Sequence, residues 1–373
     1  MTGGGRYTIR PVAPEDLTHI NALLSQVWFP RRSADGFDWL MARNPGQSGL
    51  PPGWVASDET GVQAFLGNFV QRAWRLGEAH LIAAGHSFVA RPGRGGLAFG
   101  LIRRFLRQPE PLILSGLNSN PVSAELYQAM RLATYADTGS LRLSWVTNAG
   151  AVLAGAASWR LHAVTGHRHA RRLADIRRPA PGVERILKAH GGDVRRIIDP
   201  NGDTRLAAFD LSLRRGARLF TERSPEALAW RLADPESDTP PVLVAYPAEG
   251  AIRGLALLQF NKPSEAEPPY LDVTDLVTLD PQDSEAAQAL LRAGLALAKR
   301  GGAARLRLQM VSRDTLRLIG PLAAAARRSV SAAPHAFYKA NPGAPLPVEA
   351  YWQPLPYDSD NGPSLRAMPI RRT

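Results

Sequence analysis

Residues 79–106 read AHLIAAGHSFVARPGRGGLAFGLIRRFL, and the organisation of the chain turns on them. Ala79 to Val89 is a long apolar run with the look of a buried strand. Arg91-Pro92-Gly93-Arg94-Gly95-Gly96 ends it, because proline removes a ladder donor and glycine relaxes the backbone. Leu97 to Leu106 then resumes at helical period. Strand, glycine-rich turn and helix in that order place backbone amides at a helix start, where an anion is stabilised. Arg91 and Arg94 add charge to the turn. Along the strand, alternation puts His86 on one face with Ala84 and Phe88.

Outward from this segment the same α+β grammar continues. Tyr7 to Val12 alternates as a short strand, and Leu17, Ile20, Leu23 and Leu24 follow at helical spacing. Trp54 to Ala56 and Val62 to Phe69 read as a hairpin. A strand within Leu112–Leu117 leads through Asn118-Ser119-Asn120-Pro121 to a helix carrying Glu125, Leu126, Tyr127 and Met130.

At 373 residues the chain has room for about two domains. The absence of cysteine removes disulfides, thiolate nucleophiles and Cys-ligated zinc. Apolar runs such as 149–159 are too short to span a bilayer, and no basic-then-apolar leader opens the chain, so a cytoplasmic location is expected. The net charge is +12, and nearly all the cations are arginine, with lysine only at Lys188, Lys262, Lys299 and Lys339. That excess attracts polyanions of any kind, including phosphorylated ligands, anionic lipid and nucleic acid. His167-x-His169 has no carboxylate or cysteine partner at ligand spacing, so no metal is expected. Neither a nucleophile elbow nor a Walker sequence occurs. Nucleic-acid binding has only the charge in its favour, since Trp39, Trp54, Trp74 and Trp230 fall in elements that need core residues.

The ordered set resembles the GNAT superfamily of acyltransferases over roughly residues 7–145. It comprises the opening Tyr7-x-Ile9-Arg10-Pro11 with Asp16, the strand into the Arg/Gly turn into the helix, and Asn120 seven residues before Tyr127. The turn departs from the spacing usual in that family, and Arg131-Leu132 replaces its Gly-Phe. The resemblance implies an acyl-CoA co-substrate and an amine acceptor. It implies that Phe88, Val89, Arg91, Gly93, Arg94, Gly95 and Gly96 hold the donor, with Asn120 on the pantetheine arm. It places the general acid at Tyr127 and the base at His86, where the family often has a carboxylate, with Glu78 in reserve.

An internal repeat extends the reading. Pro51-Pro52, Val55-Ala56 and Gly61 recur at one constant offset as Pro240-Pro241, Val244-Ala245 and Gly250. Phe37-Asp38-Trp39 to Asn44-Pro45 is echoed by Ala229-Trp230-Arg231 to Asp234-Pro235. The expected fold is therefore α+β, two tandem GNAT-like domains with mixed, mostly antiparallel sheets flanked by helices. Residues 6–147 form an acyl-CoA-binding domain, 148–213 a basic helical connector, 214–341 a degenerate domain and 342–373 a proline-rich extension. The degenerate domain has Asp280-Pro281-Gln282-Asp283 where a pyrophosphate would sit. In the connector, Trp159 and Leu161 beside Arg160, Arg168, Arg171 and Arg172 suit either a solvated basic helix or the surface of an anionic membrane. Duplication, connector and charge together resemble bacterial lipid N-acyltransferases of the ceramide synthase type. The alternatives are an amino-sugar or other small-amine acetyltransferase, and a non-catalytic polyanion-binding protein.

Overall fold

The computed structural model describes residues 7–26, 31–117, 119–135, 140–165, 182–237, 239–261, 267–330 and 336–359. The basic run from His167 and the residues from 360 onward lie outside them.

Two mixed sheets form the α+β body, mostly antiparallel as expected. The first follows the order β1 (Thr8–Pro11), β2 (Gly53–Asp58), β3 (Gly61–Arg75), β4 (Glu78–Ala90), β5 (Pro111–Gly116), β15 (Phe337–Ala340), β6 (Ala133–Thr134), with β9 (Phe220–Thr221) added to the far end of β3. Its central strands read as continuous apolar runs because both faces are covered. On one face α3 (Gly95–Phe105) and α4 (Pro121–Ala129) pack Leu101, Ile102, Phe105 and Tyr127 against Leu66, Val70, Ala83 and Leu114. On the other, α1 (Leu17–Leu24) and α2 (Ala34–Met41) pack Ile20, Leu23, Phe37 and Leu40 against Val55, Phe65, Phe69 and Val89.

The second sheet runs β14 (Arg327–Val330), β7 (Leu141–Val146), β13 (Arg305–Leu308), β12 (Tyr270–Thr278), β11 (Gly254–Asn261), β10 (Val242–Tyr246), β8 (Arg195–Ile197). One face is covered chiefly by α9 (Ser284–Arg300), through Leu290, Leu291 and Leu297. The halves exchange strands: β7 lies in the second sheet and β15 returns to the first. The sheets are thus not divided at residues 147 and 341. Nor is 183–213 a simple connector. Within 182–214, α6 (Val183–His190), β8 and α7 (Thr204–Arg214) supply Leu187, Ile197, Leu206, Phe209 and Leu213 to the second half's cores. The connector proper is α5 (Ala149–Thr165) with the residues that follow it.

The halves meet across a local two-fold relation. Trp39 of α2 stacks on Trp230 of α8 (Pro225–Leu232) at 4.4 Å. Each indole donates to the other's main-chain carbonyl, at 3.0 and 3.1 Å. Reciprocal contacts of this kind mark self-complementary interfaces, here folded into one chain. After β15 the chain forms a strap that buries Val348, Trp352 and Tyr357. Arg231 is held beneath the strap, stacked on the Tyr357 ring at 4.0 Å and donating to the Gln71 side chain and the Tyr357 carbonyl. No helix among the described residues is long and apolar enough to cross a membrane.

Candidate active site

β4 and β5 run parallel and pair only from Leu81/Pro111 to Ala84/Ser115. Beyond that point β4 continues toward Ala90 paired with β3 but not with β5, so β4 and β5 part and leave the β5-facing main-chain groups of residues 85–90 on an open edge. A bulge sharpens the departure. Gly67 faces His86 and Phe65 faces Val89, so Ser87 and Phe88 together oppose Leu66. Ser87 takes φ +49°, a left-handed conformation that ordinary side chains adopt only under local constraint. The extra residue overturns the simple alternation: Phe88 packs with the α3/α4 core, whereas His86 and Val89 point to the α1/α2 side.

From Ala90 the chain enters the Arg/Gly turn, anchored by the Arg91 N–H donating to Gln63 O at 2.9 Å. Gly93 has φ +79°, which suits glycine. Space beside Gly93, Gly95 and Gly96 is open, since a methyl group on any of them would meet nothing within 4 Å. The start of α3 has no side-chain cap and no acidic residue in its first turn. The positive end of the helix dipole is thus bare and flanked by Arg91 and Arg94, the latter 3.5 Å from Asp58.

Tyr127 lies on α4 and is buried. Its ring rests on Gly116 of β5, where a Cβ would come within 2.6 Å of Cε2. Its hydroxyl oxygen stands 3.4 Å from the Cβ position of Gly85 on β4. The phenol therefore reaches the point where the strands part. Asn120 is the cap of α4, accepting from the Ser123 N–H at 2.9 Å. That bond occupies its side-chain oxygen and sets the angle at which α4 presents Tyr127.

His86 is in a different setting. It is 5% exposed, with Phe65 and Phe69 edge-on at 6.4 Å and its Nε2 against Gly67. Its Nδ1 lies 3.1 Å from Ser87 Oγ. Burial, and then the charge of Arg32, push its pKa down to about 3. The imidazole is neutral throughout the physiological range and accepts a proton poorly, which is a packing environment rather than that of a general base. Moreover His86 projects from β4 toward the α1/α2 side, whereas Tyr127 approaches β4 from α4 on the other face, so the structure does not bring them together. Glu78 begins β4 at the exposed hairpin end, roughly 20 Å from Gly85 at strand rise. Among the described residues no group of three or more His, Asp or Glu could hold a metal.

The Arg-Ser dipeptide that precedes each repeated tryptophan escaped the sequence reading. Arg32-Ser33 with Trp39 recurs in the second half as Arg223-Ser224 with Trp230. Ser33 and Ser224 each cap the helix that follows, accepting from Gly36 and Ala227 N–H. Arg223 makes a fully buried two-pronged bond to Asp275 of β12, at 2.9 and 2.9 Å. Asp275 stands at the repeat offset from His86, the same that separates Pro51 from Pro240, and like His86 it flanks a bulge. Aligning the repeat on its tryptophans rather than its prolines would have exposed this motif.

No protein-family model matches the chain, and no curated protein does. Solved structures do. A GCN5-related N-acetyltransferase from Anabaena variabilis superimposes with a TM-score of 0.51 at 14% identity, over 90% of this chain and 73% of that one. The chain has the GNAT fold. The N-myristoyltransferase of Saccharomyces cerevisiae, solved with bound myristoyl-CoA, matches with a TM-score of 0.51 at 13% identity, over 93% and 83%. A protein from Pyrococcus horikoshii matches at 0.50 and 15% identity, over 94% and 95%. In each case the likeness covers nine-tenths or more of this chain.

Proposed function

We propose that the protein is an acyl-CoA-dependent N-acyltransferase with a single donor site, in its first half. The observation that carries this reading is the bare, arginine-flanked start of α3 directly after the parted strands β4 and β5. Amides of the Gly93–Gly96 turn, with Arg91 and Arg94, would take the pyrophosphate. Main-chain groups at Phe88 and Val89, on the open edge of β4, would pair with the amides of the pantetheine arm. The thioester would then lie near Tyr127. An amine attacks the thioester carbon, the C–N bond forms, the C–S bond breaks, and the departing thiolate takes the phenolic proton. Asn120 acts through the placement of α4. His86 shapes the opposite face of β4; the amine arrives unprotonated, and the proton it sheds as the C–N bond forms passes through solvent to the Tyr127 phenolate, so that amide and CoA thiol leave with the phenol restored.

Tyr127→Phe tests the assignment. It should lower turnover by about 10² to 10⁴ while leaving acyl-CoA affinity, read by calorimetric titration, within a small factor. Wild-type turnover in this variant would remove Tyr127 from the chemistry. Absence of binding by well-folded protein to both acetyl-CoA and palmitoyl-CoA would sink the enzyme reading and leave a non-catalytic polyanion-binding protein.

For the acceptor we favour a long-chain amine such as a sphingoid base, as in bacterial ceramide synthesis, met at the cytoplasmic membrane surface. An apolar stripe exposed on α5, with Leu153 71% and Val164 83% exposed, supports a lipid setting. A buried acyl chain contributes about 0.8 kcal/mol per methylene, so a lipid enzyme should prefer palmitoyl-CoA to acetyl-CoA by orders of magnitude. Acetyl transfer to an amino-sugar nucleotide, with no product from sphinganine, would refute the lipid acceptor.

A further inference from the structure

The face of the second sheet opposite α9 is divided: at β10 and β11 it packs Leu243, Ala245, Leu255 and Leu257 against α7, and at β12, β13, β7 and β14 it carries charge. Pairing sets Asp272, Arg307, Ser144 and Arg327 side by side across β12, β13, β7 and β14. The flanking rungs add Arg305 opposite Val146 and Arg142 opposite Ser329. Side chains alternate, so all of these share the face opposite Leu143, Trp145, Leu306 and Leu308, which are in the core. Four guanidinium groups thus converge on strands roughly 4.8 Å apart. Among the described residues the carboxylates facing them are Asp272, held by both prongs of Arg307 at 2.7 Å, and Glu267, whose charge reaches Arg307. Desolvation and then the nearby Arg307 cation hold the Arg142 guanidinium below its ordinary value. Arg305 and Arg327 flank this pair toward the edge of the sheet, where the whole of β14 is exposed and Val146 is 53% exposed.

The helix α5 leaves the sheet beside this face. Thr147 and Asn148 N–H both donate to Ala304 O, just before β13, and Gly155 lies against Pro268, just before β12. One side of α5 buries Ala151, Gly155 and Ser158. The opposite side turns Leu153, Ala157, Arg160 and Val164 to solvent, with Trp159 44% exposed nearby. No carboxylate occurs anywhere in α5. An ordinary surface helix is polar on its outer face; here that face is apolar and its one charged residue is a cation. Exposed apolar stripe, tryptophan and adjoining arginines form the pattern of a helix that lies in a lipid interface. A nucleic acid would seek aromatic platforms, yet the ring on this face, Tyr270, is covered by Arg307 at 4.3 Å.

We propose that α5 and the arginine-bearing face of β7, β13 and β14 together form a docking surface for an anionic phospholipid bilayer. This deepens the lipid-acceptor reading, because it would bring the donor site to the surface where a long-chain amine resides. Co-flotation of the full chain with phosphatidylglycerol/phosphatidylcholine vesicles tests it. Binding should be strong to these vesicles, absent with phosphatidylcholine alone, and weakened by salt. Arg305→Ser and Arg327→Ser should each cost about fivefold in affinity, the worth of one arginine near an anionic surface. Leu153→Ser with Val164→Ser should weaken binding without changing its salt dependence. No flotation with anionic vesicles, wild-type flotation by both sets of variants, displacement from vesicles by single-stranded RNA, or a dimer lost in the Leu153/Val164 variant without vesicle binding would each overturn the proposal. Titration with acetyl-CoA in the absence of vesicles reports on the donor site alone, so a failed docking surface and a failed acyltransferase reading give different results.

Discussion

The two halves place a helix at corresponding points, α3 beginning at Gly95 and α9 at Ser284, and treat its N-terminus in opposite ways. At α9, Asp283 caps by accepting from Ala286 N–H, Glu285 lies in the first turn, and Arg253 bridges the two carboxylates at 2.9 and 3.0 Å. The positions that correspond to Asp283 and Glu285 in the first half, at the repeat offset, are Arg94 and Gly96. One helix start neutralises itself; the other presents bare amides and cations. The Arg that precedes each helix-capping serine has a different setting in each half. In the second half Arg223 is locked to Asp275, while in the first Arg32 stands near an imidazole. The two halves thus share a frame, in which the start of α9 is closed by internal partners and the start of α3 stays uncapped.

The largest effect should come from breaking the closed copy. Asp275→Ala leaves Arg223 buried without its carboxylate, a change that typically costs about 3–5 kcal/mol, about a third of the stability of an ordinary domain. Chemical denaturation should show that loss. Arg223→Met with Asp275→Leu should recover most of it, because an apolar pair of similar volume removes the charge as well. If Asp275→Ala were as stable as wild type, the pair would not be the lock that distinguishes the halves.

Next comes conversion of the open copy into the closed one. Arg94→Asp with Gly96→Glu writes the α9 pattern onto α3, supplying a cap and an acidic first turn. Both changes are at exposed positions with free space, so the fold should hold. Acyl-CoA affinity should fall by at least roughly 100-fold, since two carboxylates now oppose the pyrophosphate and a cation is lost. Unchanged affinity by calorimetry would mean that the donor phosphates bind elsewhere.

How much of this is legible in the sequence depends on the range of the signal. The passage from β4 through the turn to α3 is local, written in an apolar run, Pro92, three glycines and a helical period, and the structure follows it closely. The face of Phe88 is not legible in that way, because the bulge at Ser87 depends on how residues of β4 count against Leu66 on β3. Strand exchange by β7 and β15 is likewise hidden. Nothing in Leu141–Val146 or Phe337–Ala340 states which sheet will accept it, since a strand's partner is a non-local choice. His86 looks available from strand alternation alone, whereas its burial comes from Phe65, Phe69 and the covering helix α2, elements far away in the chain. The Tyr127 approach needs two distant glycines, Gly85 and Gly116, that only the pairing of β4 with β5 brings under one ring.

The smallest expected effect concerns His86 itself. In the unfolded chain its pKa is the ordinary 6.5; in the folded protein burial, reinforced by Arg32, lowers it to about 3. The folded state therefore refuses a proton that the unfolded state accepts, and stability falls as the pH drops from about 6.5 toward 3, with none of this loss above pH 7. Between pH 7 and pH 5 the loss from this one group amounts to about 2 kcal/mol. Replacing His86 with Gln removes the titration but keeps a polar side chain of similar reach. Denaturation of wild type and His86→Gln at both pH values then isolates the contribution as a difference of differences, insensitive to whatever the substitution costs at pH 7. Wild type should lose about 2 kcal/mol more than the variant. Equal losses would mean that His86 takes up its proton in the folded state, which would return it to solvent and to candidacy as the general base.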